Sequence, residues 1–217
     1  MSLFYDCSDP AERAEGLDAA VDSVRRGELV VLPTDTVYGI GADAFQPDAV
    51  DALLAAKGRG RDMPVPVLVG SWAALDGLTL VVPPRVRELV EAFWPGGLTL
   101  VVEHAPSLAW DLGDARGTVA VRMPLHPIAL ELLDRLGPMG VSSANRSGQP
   151  PAATAEEARD QLGFAVAVYL DGGPSGDPVP STILDVTGSV PRVLRSGAVS
   201  LEQLREVVGE VTAPAPA

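Results

Sequence analysis

The stretch LVVLPTDTVYGIGADAFQPDAVDALLAAKGRGR, residues 29–61, decides the fold class of this chain. It opens with a short apolar segment ended by Pro33, which is typical of a buried β-strand. It closes with an amphipathic helix over 47–57, in which Pro47 begins the first turn and Gly58 ends the helix. A buried strand followed by a polar loop and a helix indicates a layered α/β protein.

The same alternation continues on both sides of this stretch. We predict further helices over 11–26, 84–93, 126–136, 154–162 and 201–208. We predict further strands over 65–69, 98–103, 118–123, 165–170, 182–186 and 191–194, and a short one ending at Val141. Pro66 interrupts one of them, which predicts a position at an edge or a bulge of the sheet. Together the elements predict a single α/β domain with one mixed sheet flanked by helices.

Composition excludes several classes of protein. Of the 217 residues, 47% are apolar and 21% are charged, as in an ordinary globular domain. The longest apolar runs are about five residues, whereas a transmembrane helix needs ~20. The N-terminus lacks the basic start and apolar core of a signal peptide, and Cys7 is the only cysteine, so we expect no disulfide and a cytoplasmic location.

The charge is acidic overall but its basic residues are unevenly spread. Sixteen basic against 29 acidic residues give a net charge of −13, which disfavours binding to extended nucleic acid. Lys57, the only lysine, stands with Arg59 and Arg61 in a segment whose two glycines let backbone approach an anion. The segment follows a helix and lacks the spacing of a Walker loop. Lys57 is therefore interpreted as either a solvated helix-end residue or part of a polyphosphate site.

Three further polar clusters follow predicted strands. They lie at 34–39, at 142–148, and over 171–197, where a glycine corner precedes Ser181, Thr182 and Arg195. Hydroxyls and backbone amides at strand ends commonly face a ligand in α/β folds. The cluster at 34–39 alone is more typical of an ordinary turn, whereas seven such residues at 142–148 are less typical of one. Arg122 lies inside an apolar strand and needs a partner, either an internal carboxylate or an anionic ligand.

The histidines, the cysteine and Trp94 give weaker evidence of a functional site. His104 and His126 have no second ligand at metal-binding spacing, so no metal site is expected, and His126 is interpreted as a helix cap. Cys7 has no histidine near it in the sequence and is expected to be inert. Trp94 is interpreted as a core residue.

Seven segments, in this order and spacing, resemble the YrdC/Sua5 family of L-threonylcarbamoyladenylate synthases. The resemblance runs from about Ala14 to Ala198. The segments are PTDTVYGIGADA, KGRGRDMPVPVLV, WPGGLTLVVE, VAVRMPLHP, SSANRSGQP, STILDV and VLRSG. The resemblance implies a domain of residues 14–208 with a twisted mixed sheet and a positively charged concave cavity. We expect an N-terminal segment at 1–13 before it and, from the Pro/Ala composition of the chain end, a disordered tail at 209–217.

The resemblance also implies an activity: L-threonine, bicarbonate or CO₂ and ATP give threonylcarbamoyl-AMP and pyrophosphate, with Mg²⁺ accompanying ATP. The product serves threonylcarbamoyladenosine modification of tRNA, with hand-off to a downstream tRNA threonylcarbamoyl transferase complex and little direct tRNA binding. Residues that match the family's catalytic and ATP-binding positions are Lys57, Arg59, Ser143 and Asn145, with Thr118 and Arg195 also at ATP-binding positions. Those that match its threonine positions are Thr36, Arg122, Val141 and Ser181.

Four positions depart from the family pattern. Gly60 stands where proline usually follows Lys-x-Arg, and Pro151 stands in place of a serine. Met63 and Leu68 replace polar residues that contact nucleotide and threonine in some members. Two alternative functions remain at this point: a non-catalytic RNA-binding module, and a transferase that uses carbamoyl phosphate.

Overall fold

The computed structural model describes residues 1–176 and 179–214, in which ten strands form one sheet. The strands are β1 Leu3–Asp6, β2 Val30–Leu32, β3 Gly39–Asp43, β4 Val67–Leu68, β5 Leu98–Glu103, β6 Thr118–Arg122, β7 Met139–Ser143, β8 Val168–Asp171, β9 Thr182–Asp185 and β10 Arg192–Arg195. Their order is β1-β8-β2-β3-β7-β4-β6-β5-β9-β10. Parallel and antiparallel pairs both occur, which confirms the prediction of a mixed sheet.

Helices flank the sheet as predicted. They are α1 Pro10–Arg25, α2 Pro47–Lys57, α3 Ala74–Leu78, α4 Pro84–Phe93, α5 Pro127–Leu136, α6 Ala155–Leu162 and α7 Leu201–Val208. Proline stands in the first turn of α1, α2, α4 and α5, where its missing N–H is not needed. His126 occupies the N-cap position of α5, but its side chain makes no capping hydrogen bond.

Three of the strands and α-helices were not predicted, namely β1, β3 and α3. α3 is short, and β3 has the sequence GIGAD, whose glycines disfavour a strand in isolation. Pairing with β2 on one side and β7 on the other forms β3 in spite of this. A Cβ atom on Gly39 would lie 2.6 Å from Val141 Cγ1, so glycine is what allows β3 and β7 to pack at this register.

The prediction that Pro66 places its strand at an edge is wrong. β4 lies inside the sheet, between β7 and β6. Pro66 precedes the two-residue strand, where it offers its carbonyl to the amide of Val141 at 2.8 Å. The strand is short enough that the missing N–H of proline falls outside it.

One face of the sheet remains open around β5, β6 and β9. Leu98 and Leu100 of β5 belong to the same core cluster as Leu89 of α4. The alternate residues on the opposite face, Val101 and Ala120, are half-buried and belong to neither core cluster. This half-covered face leads directly to Arg122 at the end of β6.

Both chain ends join the fold more closely than predicted. The predicted N-terminal segment at 1–13 contains β1, which pairs in parallel with β8, and the start of α1. In the predicted tail, Val211 is buried and the Thr212 amide donates to the Pro191 carbonyl at 2.9 Å. Residues 215–217 of that tail lie outside the described residues.

The helices were compared with the length and apolar character that a membrane span requires. Within residues 1–176 and 179–214, no helix combines the length and the apolar character needed to cross a bilayer.

Candidate active site

Lys57 is a buried residue and not the solvated helix-end lysine that was one interpretation. It is the last residue of α2 and is only 3% exposed. Its ammonium donates to the Ser143 carbonyl, to the Asn145 carbonyl at 2.8 Å and to Asn145 Oδ1 at 3.4 Å. Burial, and secondarily the charge of Arg59, lower the pKa of Lys57 from 10.5 to about 8.

Arg59 turns back toward the same loop. Gly58 ends α2 with a φ of 62°, a left-handed conformation that glycine adopts without strain. The Arg59 guanidinium then donates from Nη1 to Ser142 Oγ at 3.1 Å. Its Nε is buried and has no partner within the described chain, and burial lowers the pKa of the group. Lys57, Arg59, Ser143 and Asn145 therefore meet at the end of β7.

Arg122 is paired with a carboxylate of the protein itself, Asp35, which was one of the two partners considered for it. Its Nη2 donates to Asp35 Oδ1 at 2.5 Å, its Nη1 to Thr36 Oγ1 at 2.8 Å, and its Nε to the Gly96 carbonyl at 2.8 Å. Thr36 Oγ1 also lies 3.1 Å from Thr34 Oγ1. Burial lowers the pKa of Arg122 and the adjacent Asp35 opposes this change. Two of the five guanidinium N–H donors remain for a ligand.

A second arginine is held beside Ser181. Arg195 Nη2 donates to the Ser181 carbonyl at 2.8 Å and lies 3.1 Å from Ser181 Oγ. Ser181 Oγ in turn shares a 2.7 Å hydrogen bond with Thr99 Oγ1 of β5. Burial lowers the pKa of Arg195, and the positive charges of Arg122 and Arg59 lower it further. Arg195 therefore lies close enough to Arg122 and to Arg59 for each of their charges to repel its own.

Backbone contacts join these groups into one region. The Ala144 amide donates to the Tyr38 carbonyl at 2.7 Å, which links the loop after β7 to the loop that carries Thr36. The Thr182 amide donates to the Gly97 carbonyl at 3.0 Å, beside the Gly96 carbonyl that holds Arg122. A Cβ on Gly97 would lie 2.6 Å from Ala198 Cβ, so this corner packs tightly.

Two predicted residues lie apart from this centre. Thr118 begins β6, four residues and about 13 Å from Arg122 along the strand, and lines a separate pocket with His104 and Trp110. Val141 lies within β7, where its side chain is buried and its amide is engaged by Pro66. Thr118 therefore lies away from the cluster that Arg59, Arg122 and Arg195 form with the polar loops.

Sequence reasoning missed Asp35, Thr99 and Ser142 as members of the site. Asp35 is the only acidic residue of its loop and stands between two threonines, which is a usable signal. Thr99 is a hydroxyl residue in the apolar strand LTLVVE, a weaker signal of the same kind. Ser142 begins the segment SSANRSGQP, but only the fold shows that its hydroxyl accepts from Arg59.

The remaining sequence interpretations concern residues near the site or in the core. Trp94 is buried and its indole donates to the Leu98 carbonyl at 2.7 Å, which confirms it as a core residue. Burial raises the pKa of the Cys7 thiol to about 11, so at neutral pH it is protonated and unreactive, as expected. His126 Nδ1 is buried without a partner in the described residues, and burial lowers the pKa of this ring.

The arrangement is suited to binding anions without a covalent nucleophile. Three arginines supply planar donors, and hydroxyls from three loops surround them. A buried cationic site of this kind fixes carboxylates and phosphates and stabilises negative charge that develops on them. Within the described ranges, no three His, Cys, Asp or Glu residues group as metal ligands.

Comparison with known proteins places this chain among close relatives. A family model named for Sua5, YciO and YrdC proteins, with the description "Telomere recombination", matches residues 22–197. A protein of Mycobacterium tuberculosis named "Putative threonylcarbamoyl-AMP synthase" is 63% identical over 209 residues, which cover 96% of each chain.

Longer relatives match over nearly the whole of this chain. The threonylcarbamoyl-AMP synthase of Bacillus subtilis is 40% identical over 190 residues, which are 87% of this chain and 55% of that protein. The crystal structure of Pyrococcus abyssi Sua5 complexed with L-threonine superposes with a TM-score of 0.91 at 34% identity. That match covers 98% of this chain and 62% of the Pyrococcus chain.

Proposed function

Because this chain belongs to the Sua5/YciO/YrdC family, we propose that it is an ATP-dependent nucleotidyltransferase that makes threonylcarbamoyl-AMP. The substrates are L-threonine, bicarbonate or CO₂, and ATP, and the second product is pyrophosphate. The observation that carries the proposal is that Arg59, Arg122 and Arg195 each donate to a hydroxyl of a polar loop, in a chain of net charge −13. The threonine-bound Pyrococcus structure, at 34% identity, supports the amino-acid substrate.

Threonine binds at the Arg122 end of the site. The two free N–H donors of Arg122 take the α-carboxylate, while the bonds to Asp35 and Gly96 hold the guanidinium in place. The Thr36 hydroxyl contacts Arg122 directly, and the Ser181 hydroxyl is held by Arg195. The backbone near Val141, which pairs with Gly41 of β3, would reach threonine only from the neighbouring strand β7.

ATP binds with its phosphates at the end of β7. Arg59, Arg195 and Ser143 supply donors to the phosphate oxygens, and Lys57 and Asn145 belong to the same loop assembly. Thr118 lies at the other end of β6, along the open face of the sheet, at a distance suited to the nucleoside. Such a placement makes Thr36, Arg122 and Ser181 neighbours of the α-phosphate.

The chemistry requires positioning and charge stabilisation. The threonine amine captures CO₂ and loses a proton to give a carbamate. A carbamate oxygen then attacks the α-phosphorus; this O–P bond forms as the bond to the bridging oxygen of pyrophosphate breaks. Negative charge builds on phosphate oxygens, which the arginines stabilise, and alignment of the two substrates lowers the barrier further. Mg²⁺ would accompany ATP and would supply further stabilisation of the negative charge on the phosphate oxygens.

Consumption of the product needs a second protein. Threonylcarbamoyl-AMP is a mixed anhydride, and a downstream tRNA threonylcarbamoyl transferase complex would accept its acyl group onto adenosine. The proposed function includes a cytoplasmic location for this chain.

A pyrophosphate-release assay tests the function. We expect ATP-dependent release that requires both L-threonine and bicarbonate, with Mg²⁺ present throughout. Release that is independent of threonine, or none with all substrates present, contradicts the proposal. Release supported by carbamoyl phosphate in place of threonine and bicarbonate would instead favour the alternative transferase.

A further inference from the structure

The ammonium of Lys57 is fully used inside the protein. It has three N–H donors, and these meet the Ser143 carbonyl, the Asn145 carbonyl and Asn145 Oδ1. The side chain is buried, with the whole residue 3% exposed. All three acceptors belong to the loop of residues 143–149, here named the phosphate loop. No donor of Lys57 is left for a phosphate oxygen in this conformation.

The side chain of Asn145 likewise makes all of its hydrogen bonds within the protein. Its Nδ2 donates to the Arg146 carbonyl at 3.0 Å and to the Gln149 carbonyl at 2.7 Å, while Oδ1 accepts from Lys57. The residue is 7% exposed. In addition, the amide of Ser147 donates to the Lys57 carbonyl at 2.9 Å. The phosphate loop is therefore tied to the end of α2 through both the main chain and the side chain of Lys57.

Arg59 and Ser143 differ from this pair. Arg59 makes a single hydrogen bond, to Ser142 Oγ, within the described chain, and its Nε has none. The hydroxyl of Ser143 makes no hydrogen bond to any described residue, and the residue is half-buried at the end of β7. These two side chains have donors available to a ligand, whereas Lys57 and Asn145 do not.

We propose that Lys57 and Asn145 are positioning residues that hold the phosphate loop in its binding shape, and that direct phosphate contacts come from Arg59 and Ser143. This divides the four matched residues into two roles. The nature of the ligand rests on the proposed function, but the hydrogen-bonded lock is a property of the protein without ligand. Loss of the Lys57 ammonium would leave buried carbonyl oxygens without donors, which favours opening of the loop to water.

Amide hydrogen exchange in ligand-free protein tests the lock. We expect amides of residues 144–149 to exchange at least tenfold faster in Lys57→Met and in Asn145→Ala than in the wild-type protein. Arg59→Met is the matched control, because it removes a neighbouring cation from the same helix end without touching the lock. In Arg59→Met the exchange of the phosphate loop should be unchanged, whereas ATP binding is lost.

Unchanged loop exchange in Lys57→Met, together with loss of ATP binding equal to that of Arg59→Met, would overturn the proposal. Protection of β5 and β6 reports in each variant whether the sheet has formed. If Lys57→Met does not fold, Asn145→Ala decides by the same criterion, since it introduces no change of charge. Absence of pyrophosphate release by the wild-type protein would refute the proposed function and leave this exchange result standing, so the two failures are distinguishable.

Discussion

At the scale of single residues, Asp35 determines how Arg122 meets a ligand. Its Oδ1 accepts from Arg122 Nη2 at 2.5 Å and from the Leu125 amide at 2.9 Å. The side chains of Asp35 and Arg122 are 16% and 7% exposed, so the pair is shielded from water. A shielded ion pair with additional hydrogen bonds fixes the plane of the guanidinium. In the proposed function, threonine would meet an arginine that is already oriented.

We predict that Asp35→Asn raises the KM for threonine by about tenfold and leaves the KM for ATP within about twofold, because only the orientation of Arg122 changes. Steady-state pyrophosphate release, with each substrate varied in turn, measures both constants. Asp76→Asn is the matched control, since Asp76 pairs with Arg87 on the exposed surface at 3.2 Å. Equal rises in the two KM values for Asp35→Asn would contradict the assignment.

The lowered pKa of Lys57 also predicts how the stability of the protein depends on pH. Its pKa is about 8 in the folded chain and 10.5 without the burial and the nearby Arg59 charge. Below pH 8 both states hold the proton, so the group causes no pH dependence there. Between pH 8 and 10.5 the unfolded chain keeps a proton that the folded chain has lost, so the free energy of unfolding rises with pH.

Urea unfolding at pH 7.5 and 9.5 measures this effect. The free energy of unfolding of the wild-type protein, minus that of Lys57→Met, should increase by up to about 2 kcal/mol between these values. Pyrophosphate release should fall over the same interval, because the neutral amine has one donor fewer for the phosphate loop. A stability difference that shrinks as pH rises would be inconsistent with a lowered pKa.

At the scale of elements, Tyr38 connects two loops that border the site. Its hydroxyl accepts from the Gly172 amide at 3.0 Å and lies 2.5 Å from the Gly173 carbonyl and 3.1 Å from Asp171 Oδ1. The side chain is fully buried, with its hydroxyl at the end of β8. The loop that carries Thr36 therefore depends on the glycine corner after β8 for its position.

We predict that Tyr38→Phe lowers the free energy of unfolding by about 1–3 kcal/mol, because buried polar groups lose their partner. It should also raise the KM for threonine several-fold, since the loop that carries Thr36 loses its anchor. Tyr169→Phe is the control: its hydroxyl donates to the Gly163 carbonyl at 2.7 Å, away from the site. That variant should lose stability and keep its KM, and the same KM change in both variants would refute the connection.

At the scale of the whole molecule, charge separates this protein from one that binds extended nucleic acid. The chain carries a net charge of −13, and three of its sixteen basic residues, Arg59, Arg122 and Arg195, are gathered in one site. Binding to tRNA needs many phosphate contacts spread over a basic surface. A single cluster of arginines suits a triphosphate far better.

We therefore predict no saturable binding of tRNA by this protein in a filter-binding assay at low ionic strength. The same preparation should release pyrophosphate from ATP when threonine and bicarbonate are supplied, which shows that it is folded. Saturable binding with a steep dependence on salt would instead support the alternative of an RNA-binding module.

Local sequence was enough to predict most of the elements and the family. The bounds of α2, α4, α7 and β5 agree with the predictions because proline, glycine and hydrophobic spacing act within a few residues. The polar clusters around Thr36, Lys57 and Ser143 were likewise visible, since hydroxyls and glycines after apolar strands leave a clear pattern.

The tertiary structure alone decided the strand order, the interior position of β4 and the partners of the charged residues. Arg122 and Asp35 are 87 residues apart, and Lys57 and Asn145 are 88 apart. Such contacts depend on which strands pair across the sheet, and local propensity carries no information about that pairing. The residue types of the site can therefore be read from the sequence, whereas their use as ligand donors or as internal supports is set by the packing that brings them together.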